Sequence, residues 1–184
     1  GAQMWTLFLR RLPSEGYQVS AENTHDDSPE GWGSHAPALR AIARFMPIRS
    51  VIEFGAGLHS TGLFLCLKWF PLLESLVSFE HDEAWAAQAR TNDPRHTLLV
   101  MPTEQFAAKS AGMKADFVFL DSAGDRGSLM PHCLTLAPVF AIHDYQEEQL
   151  KSLKPGFMYV RGFNSKIQTV FASDTMDLSG MTLG

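Results

Sequence analysis

Ser50-Val51-Ile52-Glu53-Phe54-Gly55-Ala56-Gly57, running on into Leu58-His59-Ser60-Thr61, is the stretch on which the reading of this chain turns. Ser50 to Phe54 is an apolar run carrying one acid. That is the pattern of a strand buried on both faces, not of a strand with one wet side. Gly55-Ala56-Gly57 stops it, and Ser60 to Phe70 reads as a helix. Strand, glycine turn and helix open a βαβ unit. The glycines permit a tight turn and let a ligand approach the backbone.

The same alternation continues downstream. Strands are expected at Leu76 to Phe79, Thr97 to Met101, Asp116 to Leu120 and Val139 to Ile142. Helices are expected at Asp82 to Arg90 (capped by Asp82), Thr103 to Ala111, Leu129 to Leu136 and Glu147 to Leu153. Phe157 to Val160 and Ile167 to Phe171 form two closely spaced final strands, the signature of an antiparallel pair. Upstream, Ala38 to Met46 has apolar residues at helical spacing, with Ser34 as its N-cap and Pro37 in its first turn. Residues 14–33 are rich in Ser, Glu, Asp, Asn, Pro and Gly and read as an irregular arm or lid. The chain thus divides into an N-terminal arm, 1–33, and one α/β domain, 34–184. A parallel sheet covered on both faces is the architecture that this alternation dictates.

Such a sheet points to its own site, because ligands bind beyond the carboxyl ends of the strands. Polar residues gather at those ends: Glu53 with Gly55 and Gly57, Glu80, Thr103-Glu104, Asp121, and His143-Asp144. A dinucleotide fingerprint would need glycine where Ser60 stands. Glu53, two residues before the first glycine, would repel a pyrophosphate but suits a ligand with a cationic end. S-adenosylmethionine has an ammonium, a sulfonium and no phosphate. Glu80, 27 positions after Glu53 at the next strand end, is placed to accept both hydroxyls of a ribose. A nicotinamide-dependent oxidoreductase is disfavoured on the same grounds.

Glu53-Phe-Gly-Ala-Gly-Leu-His-Ser-Thr61, followed by Ser78-Phe-Glu80-His-Asp-Glu-Ala-Trp85, resembles the class I S-adenosylmethionine-dependent methyltransferases. Within them it is similar to a group with a Glu-aromatic-Gly-x-Gly-x-x-Ser-Thr loop and a Glu-His-Asp-x-x-Trp stretch. The resemblance spans roughly Val51 to Asp144. It implies a Rossmann-like, doubly wound seven-stranded sheet of order 3-2-1-4-5-7-6 with one antiparallel strand. It also implies a cofactor site made of Glu53, Gly55, Ala56, Gly57, Ser60, Thr61, Glu80, His81, Thr103, Glu104 and Asp121. In that site Gly55 and Gly57 lie under the methionine moiety, Glu80 binds the ribose and Glu104 sits beside the adenine.

Methyl transfer is an in-line displacement at a carbon that the cofactor has already activated. The protein aligns the acceptor and removes its proton. Asp121, His143 and Asp144 are the expected catalytic cluster, and Asp121 could instead hold the methionine ammonium. Metal-dependent catechol-type and caffeoyl-type O-methyltransferases use carboxylates after the fourth and fifth strands plus an Asn. Asp121 and Asp144 match the carboxylates, but Tyr145 stands at the Asn position and is a poor ligand for a hard cation. The expectation is therefore a site without a metal, Asp121 and Asp144 being its possible ligands.

Composition narrows the partners. The 184 residues carry a formal net charge of -5, with 45% hydrophobic and 19% charged residues, as expected of one globular domain. An acidic total argues against a nucleic-acid partner. Cys66 and Cys133 are too few for a disulfide scaffold and are read as reduced core thiols. The arginines near the start follow the apolar Met4 to Leu9 piece, the reverse of a signal peptide. Gly62 to Leu73, interrupted by Lys68 and Pro71, is too short to span a bilayer. The expectation is a cytoplasmic methyltransferase acting on an oxygen of a small molecule or sugar. A homodimer through a sheet edge or the arm is plausible. A binding or scaffold protein on the same fold, without turnover, is the alternative.

Overall fold

The structure, a computed structural model, describes residues 3–8, 18–21, 35–144, 157–164 and 168–183. Among them nine strands form one sheet. The central strands are β3 (Ser50–Phe54), β4 (Ser75–Glu80), β5 (His96–Val100), β6 (Phe117–Leu120) and β7 (Phe140–His143). All neighbouring pairs among these five are parallel. β8 (Tyr159–Asn164) and β9 (Gln168–Ser173) follow, with β9 antiparallel between β7 and β8. The seven run β5-β4-β3-β6-β7-β9-β8. Counted from β3, that is the order 3-2-1-4-5-7-6 of a Rossmann-like doubly wound sheet.

Two further strands precede these seven. β1 (Gln3–Phe8) pairs antiparallel with β8 over six positions, and β2 (Gln18–Ala21) pairs antiparallel with β1. The sequence reading put no strand in residues 1–33. The pairing is non-local: β1 meets a partner more than 150 residues away, and its own alternation is too short to announce it. It also removes the open edge that β8 would otherwise present.

Five α-helices are described: α1 (Ala36–Phe45), α2 (Leu58–Leu65), α3 (Glu83–Ala89), α4 (Phe106–Ser110, preceded by a 3-10 turn at Thr103–Gln105) and α5 (Arg126–Leu136). The helix expected at 147–153 and the turn after Asn164 lie outside the described residues. β6 shows the logic of the core. Phe117 and Phe119 point to one face, where Leu39, Ile42, Phe64 and Phe171 pack. Val118 and Leu120 point to the other, with Phe54, Phe106, Met130 and Phe140. Both faces are covered, which is why the strands read as continuous apolar runs.

Local signals set the helix ends. Asp82 caps α3, its Oδ1 accepting from the Trp85 amide at 2.8 Å, as the sequence predicts. α1 begins earlier than expected, with Pro37 in its first turn and His35, not Ser34, at the N-cap. The His35 side chain makes no cap bond. α5 opens at Arg126 with Asp125 as cap, three residues before the expected Leu129. Cys66 and Cys133 are free thiols. No helix among the described residues is long and apolar enough to cross a membrane.

Candidate active site

A cavity of about 420 Å³ opens at the C-terminal ends of β3, β4, β6 and β7. Parallel strands bring these four ends together, and each contributes the residue that follows its apolar run. Of the residues expected to bind a cofactor, Gly55, Ala56, Gly57, Ser60, Glu80, His81 and Asp121 line it. All three of the expected catalytic cluster, Asp121, His143 and Asp144, line it too. Thr103 and Glu104 border a separate hollow, also about 420 Å³, that shares His81 with the first.

Gly55 is required by packing before any ligand is considered. Its φ is +92°, and a Cβ there would lie 2.6 Å from the Asp121 carbonyl carbon and 2.8 Å from the Ser122 amide nitrogen. The turn is clamped on both sides: Gly55 N donates to Phe79 O at 2.7 Å, and Asp121 N donates to Phe54 O at 2.8 Å. Gly57 differs. A Cβ there would meet Ser60 Oγ at 3.7 Å and Trp85 Nε1 at 3.8 Å, ordinary contact distances. The Trp85 indole N–H donates to Ala56 O at 2.6 Å, tying α3 to the turn.

Glu53 lies beneath the turn, fully buried, and is not among the residues lining the cavity. Its carboxylate accepts from Thr61 Oγ1 at 2.5 Å, Ser78 Oγ at 2.6 Å and Ser60 Oγ at 3.1 Å. Ser78 Oγ also meets His96 Nε2 at 2.9 Å. Thr61, 1% exposed, accepts from the Gly57 amide as well as donating to Glu53. These two residues shape the loop from below. Burial pushes the Glu53 carboxyl up to about 7, and the three hydroxyls oppose that rise.

Glu80 is oriented by its own chain. Its Oε1 accepts from the amides of His81 (2.8 Å) and Asp82 (3.0 Å), and His81 Nδ1 lies 2.9 Å away. Asp121, which lines the same cavity, is pushed up to about 7 by burial; Arg126 opposes the rise, and Asp144 and Glu80 add to it. Arg126 donates to the carbonyls of His143 (2.5 Å) and Asp144 (2.7 Å) and fixes the end of β7. Asp144 sits there at φ +53°, a left-handed conformation uncommon for a residue with a side chain.

His35 joins the site without having been singled out in the sequence. It is 2% exposed, lines the cavity and meets the His143 ring edge-on, centroids 4.9 Å apart. Burial drives its imidazole down to about 3, with His143 and His59 adding to the fall. His143 Nδ1 lies 2.9 Å from Thr169 Oγ1 of β9. The sequence offered one trace of His35, its place at the start of a helix two residues before a proline. Trp85 and Ser122 also line the cavity.

No family model matches the chain, and no curated protein matches it in sequence. Its fold is shared with solved structures. One is an O-methyltransferase from Streptomyces achromogenes involved in tomaymycin synthesis, in complex with S-adenosylmethionine. It is 15% identical over 76% of this chain and 79% of that one, with a TM-score of 0.57. A second is an O-methyltransferase from Bacillus cereus in complex with S-adenosylhomocysteine, 15% identical over 82% and 84% of the two chains, TM-score 0.56. A third is a spermidine synthase from Thermotoga maritima, 14% identical over 90% of this chain and 68% of that one, TM-score 0.61. At these identities the likeness establishes the fold, the same sheet order that the strand pairing shows.

Proposed function

We propose that the protein is an S-adenosylmethionine-dependent methyltransferase that methylates an oxygen of a small molecule or sugar. The observation that carries this reading is the cavity itself. Glu80, Asp121, His143 and Asp144 all line it together with the glycine turn. About 420 Å³ suits a nucleoside-sized ligand. The O-methyltransferases of similar fold, crystallised with S-adenosylmethionine or S-adenosylhomocysteine, support the same ligand class.

The residues present fit that cofactor. Glu80 is held by two backbone amides and is fixed as an acceptor for a vicinal diol. Asp121 adds a second carboxylate to the cavity, and among the described residues no basic side chain lines it apart from histidines. When bound, S-adenosylmethionine supplies a methyl group on a sulfonium that departs as a thioether. The protein's part is to place the acceptor oxygen in line and to take its proton. Asp121, with its carboxyl near neutrality, His143 and Asp144 form the cluster that receives this proton. A smaller hollow of about 320 Å³, bounded by Asp121, Ser122, Arg126 and Asp144, gives the acceptor room beside them.

Calorimetry with S-adenosylmethionine and S-adenosylhomocysteine tests the reading. Binding of both is expected. Glu80→Gln should weaken it roughly 10- to 100-fold, the worth of charge-assisted hydrogen bonds to a diol. Absence of binding by the wild type, or unchanged binding by Glu80→Gln, overturns the assignment. Binding without turnover across a panel of hydroxyl acceptors would favour a binding protein on this fold.

A further inference from the structure

We infer that His35, Asp121 and His143 form a binding site for one divalent transition-metal ion. The three come from separate elements: His35 precedes α1, Asp121 follows β6 and His143 ends β7. One potential ligand atom from each lies within 4.8 Å of the other two. Ligands on a common ion with bonds of about 2.1 Å stand roughly 3.4 Å apart, so the triad would close by about an ångström.

A second observation points to a ligand. Both ring nitrogens of His35 are buried and lack a hydrogen-bond partner among the described residues, although the ring borders the cavity. Buried polar atoms of folded proteins are satisfied in the great majority of cases. A cation at the triad gives one of these nitrogens its partner. His143 is prepared for the same role. Its Nδ1 meets the Thr169 hydroxyl at 2.9 Å, a contact that sets the orientation of the ring. Arg126 pins the carbonyls of His143 and Asp144, so the strand end that carries this ligand is rigid.

The donor set selects the ion. Two imidazoles and one carboxylate suit zinc, iron(II) or cobalt(II), and not magnesium or calcium, which prefer oxygen. Three protein ligands leave coordination positions open toward the cavity. This site differs from an Asp121/Asp144 pair, which would offer oxygen alone. Its use in catalysis rests on the methyl-transfer reading, although the metal site does not. There an open position would take the acceptor's oxygen, and its proton would pass to Asp144, the cluster member outside the triad.

The test uses the full chain, stripped with a chelator and titrated with cobalt(II) under visible spectroscopy and with zinc(II) by calorimetry. One ion per chain is expected, with the absorption bands of a nitrogen-ligated cobalt site. Affinity should fall at least tenfold in His35→Ala, in His143→Ala and in Asp121→Asn. X-ray absorption of the zinc-loaded wild type needs no variant to fold, and should show two imidazole ligands. Failure to bind one ion, affinity unchanged in His35→Ala, or a zinc shell without paired imidazoles overturns the site. Cofactor calorimetry on the metal-free chain separates that failure from failure of the methyl-transfer reading.

Discussion

Glu53 is buried among three hydroxyls, and that arrangement ties stability to pH. Its carboxyl rises from an ordinary 4.5 to about 7 on folding, because burial disfavours the charge more than Ser78, Thr61 and Ser60 favour it. The folded state therefore holds its proton more tightly than the unfolded state. The resulting stability is fully present below about 4.5 and is lost as pH rises through about 7. The loss is on the order of 3 kcal/mol from this group. Chemical denaturation of wild type and Glu53→Gln at several pH values should show the slope between these limits shrinking in the variant. An unchanged slope would place the titration elsewhere, for instance at Asp121, a carboxyl raised in the same direction. The two glycines of the turn separate equally clearly. Gly55→Ala combines a left-handed φ with a backbone clash, and should cost roughly 3 kcal/mol or more. Gly57→Ala meets only ordinary contacts and should cost less than about 1 kcal/mol. Thermal melts of the two variants compare them directly.

Secondary-structure elements differ in how openly the sequence declares them. Asp82 as the cap of α3 and Pro37 in the first turn of α1 are local devices, readable because cap and helix are adjacent. Asp82→Ala should therefore lower stability by about 1 kcal/mol, measurable by urea denaturation. β3, β4, β6 and β7 were legible because burial on both faces leaves them largely apolar, and their polar ends marked Glu80, Asp121, His143 and Asp144, which line the cavity. Glu53 shows the limit of that logic. An acid at a strand end was read as facing the ligand, but strand alternation turns it the same way as Val51, into the face covered by α2. Its satisfaction by Ser60, Thr61 and Ser78 depends on side chains from two other elements, α2 and β4. His35 was illegible for a related reason. Its meaning comes from His143 and Asp121, more than 85 positions away, and no local pattern carries that proximity.

At the scale of the whole molecule, the sheet is asymmetric. One side ends on β5, and the other is extended past β8 by β1 and β2. Removal of residues 1–21 should leave the order from β5 to β8 intact while baring six positions of the β8 ladder. The shortened chain is expected to self-associate in light-scattering measurements. A monodisperse monomer would show that the edge is protected by other means. The tie between Trp85 and the Ala56 carbonyl has a consequence of another kind. An indole that borders the cavity and is anchored to its glycine turn will change its emission when anything settles there. Trp69, flanked by Arg40 and Lys68, is not among the residues lining the cavity. The protein thus carries its own optical gauge, through which ligands can be screened by intrinsic fluorescence without a label.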